Sequence, residues 1–348
     1  MKPETSEKLF VSSLFKESIE KNKIPQCGSF DVDRLTGDAS TRSYYRILTN
    51  STSYVVCLTT PEEDIEKEIP FLDVQGVLNN HKVRVPQIFD KNLAKGYLLE
   101  EDLGDTTLLK RMASIDSPKE EFSFYKRAID QMITIHGIET TQYQQYEFPK
   151  LQFDFEKLIS EMQFSVKFFI DRLIERRLTP EESKLINESL AKVCNELANQ
   201  KQVLTHRDYH SRNIMILGSA PKEEQVIIDF QDARMGIPQY DLVSLLEDAY
   251  YDLDPKNREE LKRYYWDNFL KDQGFQKDFE QYQRLYNLMA IQRVFKAIGS
   301  FSFIYADRKD KRYLKYIGFA YEKLKHFLFE FDELSDLRKT LTQIYYEY

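Results

Sequence analysis

The run THRDYHSRNIM, residues 205–215, sets Asp208 and Asn213 five positions apart in one loop, with His206, Arg207, His210 and Arg212 around them. After a short gap, VIIDFQDARMG, residues 226–236, ends an apolar strand on Asp229 and adds Gln231, Asp232 and Arg234. Phosphoryl transfer asks for such a set: a carboxylate that orients the acceptor hydroxyl and accepts its proton, and oxygen ligands that hold Mg²⁺ against the donor's phosphates. In an HRDxxxxN loop the aspartate takes the first role and the asparagine the second, which assigns Asp208 as the base and Asn213 as a metal ligand. Asp229 supplies the other protein oxygen; Mg²⁺ suits carboxylate and amide donors and keeps waters and phosphate oxygens in the rest of its shell. Singly, an Asp or Asn in a loop is more often a turn former or a cap. Their order, with LGSAPKEEQVIID returning the chain as a hairpin would, carries the argument.

These residues need a scaffold, and the rest of the chain describes one. FDVDRL, SYYRILT, SYVVCLT and GYLLEED are short runs rich in β-branched and aromatic residues, separated by turn signals, so they read as strands. A helix over about residues 6–21 precedes them, and IEKEIPFLDVQGVLNNHK is helical at least in part. Beyond Gly104 the pattern turns to long amphipathic helices, among them YKRAIDQMITIHGI, DFEKLISEMQFSVKFFIDRLIERR and PEESKLINESLAKVCNELANQ. The expected architecture is α+β in two lobes: residues 1–103 as a small lobe with a mixed sheet, residues 104–348 as a larger, mainly helical lobe, joined near Glu100 to Gly104.

With 348 residues, 42% apolar, the chain can bury a sizeable core, and a net charge of −8 speaks against nucleic acid as the main partner. Three widely spaced cysteines without metal-ligand spacing read as reduced thiols, and no segment has the continuous apolar stretch of a signal peptide or a membrane span; the expectation is a cytoplasmic protein without a membrane partner. Asp241 follows Asp229 too closely for a peptide-docking activation segment, so the acceptor should be a small molecule. It reads as the N-cap of a helix LVSLLEDAYYDL.

The blocks GDASTRSYYRI (37–47), LLEEDLGDTTLL (98–109), HRDYHSRNIM, IDFQDARMGIPQYDLVSLLEDAY (228–250) and IQRVFKAIGSFSF (291–303) together resemble the aminoglycoside phosphotransferase and choline kinase superfamily. More closely they resemble its bacterial branch of anomeric amino-sugar kinases. The resemblance implies a protein-kinase-like two-lobed fold, ATP and Mg²⁺ as cofactors, Asp208 as base, Asn213 and Asp229 as metal ligands, and Asp241 as a support of the catalytic loop. It also implies that backbone groups at Glu100, Glu101 and Asp102 clamp the nucleotide. The acceptor it implies is N-acetylmuramate or N-acetylglucosamine, phosphorylated at the anomeric hydroxyl in cell-wall sugar recycling.

The chain departs from a kinase in having one glycine, Gly37, in GDASTR and no lysine in YVVCLTT. Alternation puts Arg42, Tyr44 and Arg46 on one strand face, so either arginine can take the lysine's place, and Ser40 and Thr41 can cradle phosphate with turn N–H groups. Glu66 and Glu68, without that lysine, read as solvated. His210, Arg212, Gln231, Asp232, Arg234 and Arg293 are candidate acceptor contacts. Two other readings stay open: a choline, ethanolamine or aminoglycoside kinase, for which Glu247, Asp248, Asp252 and Asp254 would supply an acidic wall on a helix face, and an inactive nucleotide-binding scaffold.

Overall fold

A computed structural model describes residues 3–35, 42–61, 69–220 and 222–347. The Ser40, Thr41, Glu66 and Glu68 assignments lie outside those residues. Helix α1 (Pro3–Glu20) leads into strands β1 (Phe30–Leu35), β2 (Ser43–Thr49) and β3 (Ser53–Leu58), then α2 (Pro70–Asn80), β4 (Ile88–Asn92) and β5 (Tyr97–Glu101). The sheet order is β1-β2-β3-β5-β4 and every neighbouring pair is antiparallel, so the expected mixed sheet is an antiparallel one.

Period-two patterning decides what each sheet face meets. Tyr45, Ile47, Tyr54, Val56, Tyr97 and Leu99 point to one side and pack on Val11, Leu14 and Phe15 of α1. The opposite face carries Tyr44, Arg46, Val55, Cys57, Leu98 and Glu100, placed by the pairs Tyr44 with Cys57, Val55 with Glu100 and Cys57 with Leu98. Cys57 and Leu98 join Phe71, Val74 and Val77 of α2 in the large core.

The second lobe is built from α3 (Leu108–Met112), α4 (Pro118–His136), α5 (Phe155–Ser165), α6 (Pro180–Ala198), α7 (Gln239–Leu246), α8 (Pro255–Tyr265), α9 (Phe279–Arg308), α10 (Leu314–Phe329) and α11 (Ser335–Tyr346). Short strands β6 (Val203–Thr205), β7 (Ile214–Leu217), β8 (Glu224–Ile227) and β9 (Arg234–Gly236) pair as β6 with β9 and β7 with β8, so the hairpin read from LGSAPKEEQVIID is present. The long helical run after Asp154 does not stay α-helical: Val166–Leu173 widens into a π-helical segment. Local signals set several starts, such as the capping box of Thr179 and Glu182 at α6. At 30 residues α9 crosses the lobe and is the longest helix described. It approaches α5 closely enough that a Cβ on Gly299 would lie 2.4 Å from Ser165 Oγ.

Two expectations need correction here. The helix after Asp229 begins at Gln239, so Asp241 sits in its first turn and is not its N-cap. That helix also stops at Leu246, because the acids beyond it are drawn inward or sideways and form no helix face. Glu247 and Asp248 are buried, Glu247 against Arg258, Lys323 and Tyr286, and Asp248 against Ser211. Asp252 pairs with Arg258, and Asp254 caps α8 through the N–H groups of Lys256 and Asn257.

Candidate active site

The loop 206–213 is held from beneath. Asp241, fully buried, accepts the backbone N–H groups of His206 at 2.6 Å and Arg207 at 2.9 Å. Its Oδ2 also lies 3.1 Å from His136 Nε2, and since a carboxylate only accepts, that nitrogen carries the proton and His136 Nδ1 receives the Tyr265 hydroxyl at 2.6 Å. His136 is thus a satisfied core histidine. Tyr209 donates to the Ala128 carbonyl of α4, and the Ser211 N–H donates to Asp248. The bracing holds two left-handed non-glycine residues, Arg207 at φ 83° and Asp229 at φ 66°. Such positions persist only where the surroundings over-determine them, and they gather at functional sites.

Asp208 faces α9. Arg293 Nη2 lies 2.9 Å and Lys296 Nζ 3.3 Å from its Oδ1. Burial alone would raise the Asp208 carboxyl, but Lys296, then Arg293 and Arg207, hold it well below the usual carboxylate range. Burial and the Arg293 charge push Lys296 down to about 8. Burial also lowers His210 below an ordinary histidine. Arg293, expected to touch an acceptor, is instead a buried strut that also donates from Nε to Ser244 Oγ. Sequence reasoning picks out Arg293 without seeing its partner; the i, i+3 spacing that puts Lys296 on the same helix face was the available signal.

Asn213 Nδ2 bonds the Asp208 carbonyl at 2.9 Å and Asp229 Oδ2 at 3.2 Å, and Gln231 Nε2 donates to Asp229 Oδ1 at 2.7 Å. One amide oxygen and one carboxylate therefore stand together at the floor of the cleft. These are hard oxygen donors, and two of them suit an ion that takes its remaining ligands from water and phosphate. No group of three or more His, Cys, Asp or Glu side chains that could hold a metal ion exists among the described residues.

A cleft of about 590 Å³ lies between the lobes, with Leu35, Val55, Leu103, Met215 and Ile228 among its apolar walls and Asp208, Asn213 and Asp229 at one end. Arg42, Arg46, Glu100, Glu101, Asp102, His210, Arg212 and Gln231 also line it. Where a kinase would have its lysine, Cys57 is buried beside Tyr44, and burial and Glu100 push its thiol up to about 12. The two candidate arginines part company. Arg46 is bound by Asp102 and Asp105, with four nitrogen–oxygen approaches of 2.8–3.0 Å, so it braces the junction between the lobes. Arg42 lies over the Phe71 ring, 5.4 Å from its centroid, on the cleft side. The Glu101 carboxylate is likewise taken, by Arg84, which also reaches Glu224 of β8.

Of the remaining acceptor candidates, Asp232 pairs with Arg207 at 2.7 Å and is half-exposed, while Arg234 packs on Phe153 and bonds the Asp232 carbonyl. Neither lines the cleft. Arg212 does, held between the Tyr250 and Tyr313 rings at 4.9 and 5.5 Å. Asp208, His210 and Tyr250 also border a second cavity of about 120 Å³ that meets Lys296, Ser300 and Phe301.

The arrangement can align a hydroxyl on an ionised carboxylate beside a polyphosphate, and comparison with known proteins shows a phosphotransferase. Residues 31–274 match the family described as "Phosphotransferase enzyme family". A Neisseria meningitidis N-acetylmuramate/N-acetylglucosamine kinase is 29% identical over 83% of this chain and 85% of its own. The Pseudomonas aeruginosa protein of that name is 30% identical over 89% of this chain and 87% of its own. Among solved structures, a ternary complex of streptomycin, ATP and the aminoglycoside phosphotransferase APH(2'')-IIa superposes with a TM-score of 0.58 at 15% identity, over 89% of this chain and 95% of that one. The chain belongs to the phosphotransferase enzyme family and is a kinase.

Proposed function

We propose that the protein transfers the γ-phosphoryl group of ATP to the anomeric hydroxyl of N-acetylmuramate or N-acetylglucosamine, giving the sugar 1-phosphate. The single observation that carries the reading is the Asp208 carboxylate, kept ionised by Arg293 and Lys296 at the same end of the cleft as Asn213 and Asp229. The substrate class rests on the curated relatives, which cover most of the chain and carry that name.

In this mechanism Asp208 accepts a hydrogen bond from the sugar's anomeric hydroxyl and points its oxygen at the γ-phosphorus. A carboxylate of such low basicity acts chiefly by orientation and takes the proton late, as a loose phosphoryl transition state permits. Asn213 and Asp229 would hold Mg²⁺, which supplies charge neutralisation on the donor phosphates. Asp229, whose oxygens accept from Gln231 and Asn213, would offer that carboxylate to the ion. Arg42, on the cleft side of the sheet, takes the place of the missing lysine. Lys296 and Arg212 are the cations placed to meet a lactyl carboxylate, which N-acetylmuramate has and N-acetylglucosamine lacks. Residues 1–103 cover the nucleotide, residues 104–348 carry the chemistry, and the work is cytoplasmic.

The choline and aminoglycoside reading loses its best support, because Glu247 and Asp248 are buried in ion pairs and hydrogen bonds of their own. ³¹P NMR of the protein with Mg²⁺-ATP and a panel of N-acetylmuramate, N-acetylglucosamine, glucose, choline and ethanolamine tests the proposal, with Asp208→Asn as control. A phosphate signal split by the anomeric proton and absent in the control is expected. Phosphocholine would transfer the protein to the amino-alcohol kinases, and bound ATP without product would make it a scaffold.

A further inference from the structure

Among the described residues, Glu100 is the one acid of the cleft wall whose side chain has been given no use. It lies on β5 opposite Val55 of β3 and Ile88 of β4, and only 7% of it is exposed. Its neighbours along the strand have partners, Glu101 in Arg84 and Asp102 in Arg46. Glu100 Oε1 is buried with no hydrogen-bond partner among the described residues. A carboxylate oxygen so placed is costly unless a donor reaches it, as buried unpaired charges are. The groups that face it are Arg42 before β2, Tyr44 on β2 and Cys57 on β3. Burial therefore outweighs the pull of Arg42 and raises its carboxyl to about 7.

The surroundings say what the donor is. Glu100, paired with Val55 across β3 and β5, lines the same cleft as the apolar Leu103, Met215 and Ile228, side chains of the kind that take a flat heteroaromatic ring, and as Asp208, Asn213 and Asp229, which suit the phosphate end. We propose that Glu100 reads the 6-position of the donor's purine, accepting a hydrogen bond from the amino group of adenine and turning away the 6-oxo group of hypoxanthine or guanine. The inference rests on the reading of the cleft as the nucleotide site. Above about pH 7, where its carboxyl is ionised, Glu100 offers only lone pairs, so an amino group at the 6-position satisfies it, whereas O6 of a 6-oxopurine at that place sets further lone pairs against it and leaves both unpaired. Sites that hydrogen-bond a donor discriminate steeply against analogues without one, far more than apolar slots discriminate by shape.

The test is calorimetric titration of the full chain with ADP and with IDP in Mg²⁺ buffer at about pH 8.5, where the Glu100 carboxyl is ionised, and it needs no acceptor. Parent, Glu100→Gln and Glu100→Ala are compared, with circular dichroism as the check on folding. The parent should prefer ADP by about 30-fold or more, the range expected when a buried acceptor loses its donor. In Glu100→Gln, whose amide can accept from an amino group or donate to an oxo group, the preference should fall to within about threefold, chiefly through tighter IDP binding. Glu100→Ala should lose the preference through weaker ADP binding. If Glu100 serves only to hold Arg42, both nucleotides weaken by one factor and the ratio stays at its parent value, which overturns the proposal. A parent that binds ADP and IDP equally overturns it too. Folded parent that binds no ADP overturns the nucleotide-site reading itself, an outcome distinct from the other two.

Discussion

Replacing Lys296 by methionine keeps the length of the side chain and deletes one charge 3.3 Å from Asp208 Oδ1. At an effective dielectric of about 20 the Coulomb attraction across that distance is roughly 5 kcal/mol. Desolvation of the ammonium and the remaining pair with Arg293, at 2.9 Å, offset much of it, so a net effect of about 1–3 kcal/mol on the ionised form is expected. That corresponds to a rise of about one to two units in the Asp208 pKa. The sign is fixed: removing a cation favours the protonated acid, so the variant loses its base as pH falls at a higher pH than the parent does. The assay is kcat/KM against pH with saturating nucleotide. In the parent the acid limb of Asp208 lies below an ordinary carboxylate's, and in Lys296→Met it moves up. The parent should also lose activity as pH rises through about 8, where Lys296 gives up its proton and Asp208 faces the donor's phosphates with one counter-charge fewer. Lys296→Arg, charged throughout, should retain the acid limb and lose the alkaline one. Superimposable profiles for parent and Lys296→Met would refute the reasoning, leaving Arg293 alone to set the state of the base.

Arg42→Ala should raise the apparent nucleotide KM by about tenfold or more, as loss of a charge-assisted contact to phosphate does, whereas Arg46→Ala should show first as a lowered melting temperature; steady-state kinetics and thermal unfolding separate the two. Asp241→Asn puts an amide where two backbone N–H groups need an acceptor, and a loss of about 2–4 kcal/mol is expected from the denaturant midpoint at constant slope. Gly299→Ala forces α5 and α9 apart at Ser165 and should cost about 1–3 kcal/mol by the same measurement.

Much of this was legible in the chain because it is written locally. Asp208, Asn213 and Asp229 declare themselves by spacing, β1 and β2 by alternation, and the separation of the lobes by a change of period. What stayed hidden depends on partners far along the sequence. Nothing near Arg46 says that Asp102 and Asp105 will take it, and nothing near Arg293 says that it will hold a carboxylate 85 residues back. The acids after Leu246 looked like a helix face because four acids in eight residues suggest solvent; burial of Glu247 needed Lys323, 76 positions on, to be tolerated. β4, β6 and β9 are too short or too irregular to announce themselves, and β6 and β9 exist only because the loop between them brings them side by side. Helix α2 was visible only in part, since a proline at its start and a glycine within it blur the period.

The bracing beneath residues 206–213 has a consequence for how the protein comes to life. The loop draws on Ala128 of α4, Asp241 of α7, Asp248 just past it, and Arg293 and Lys296 of α9, so its geometry is complete only when nearly the whole chain is present. A chain emerging from the ribosome has translated its HRD motif some 85 residues before it has the cations that set the base. During that interval the loop lacks the α9 cations that hold its base, and its geometry waits for that helix.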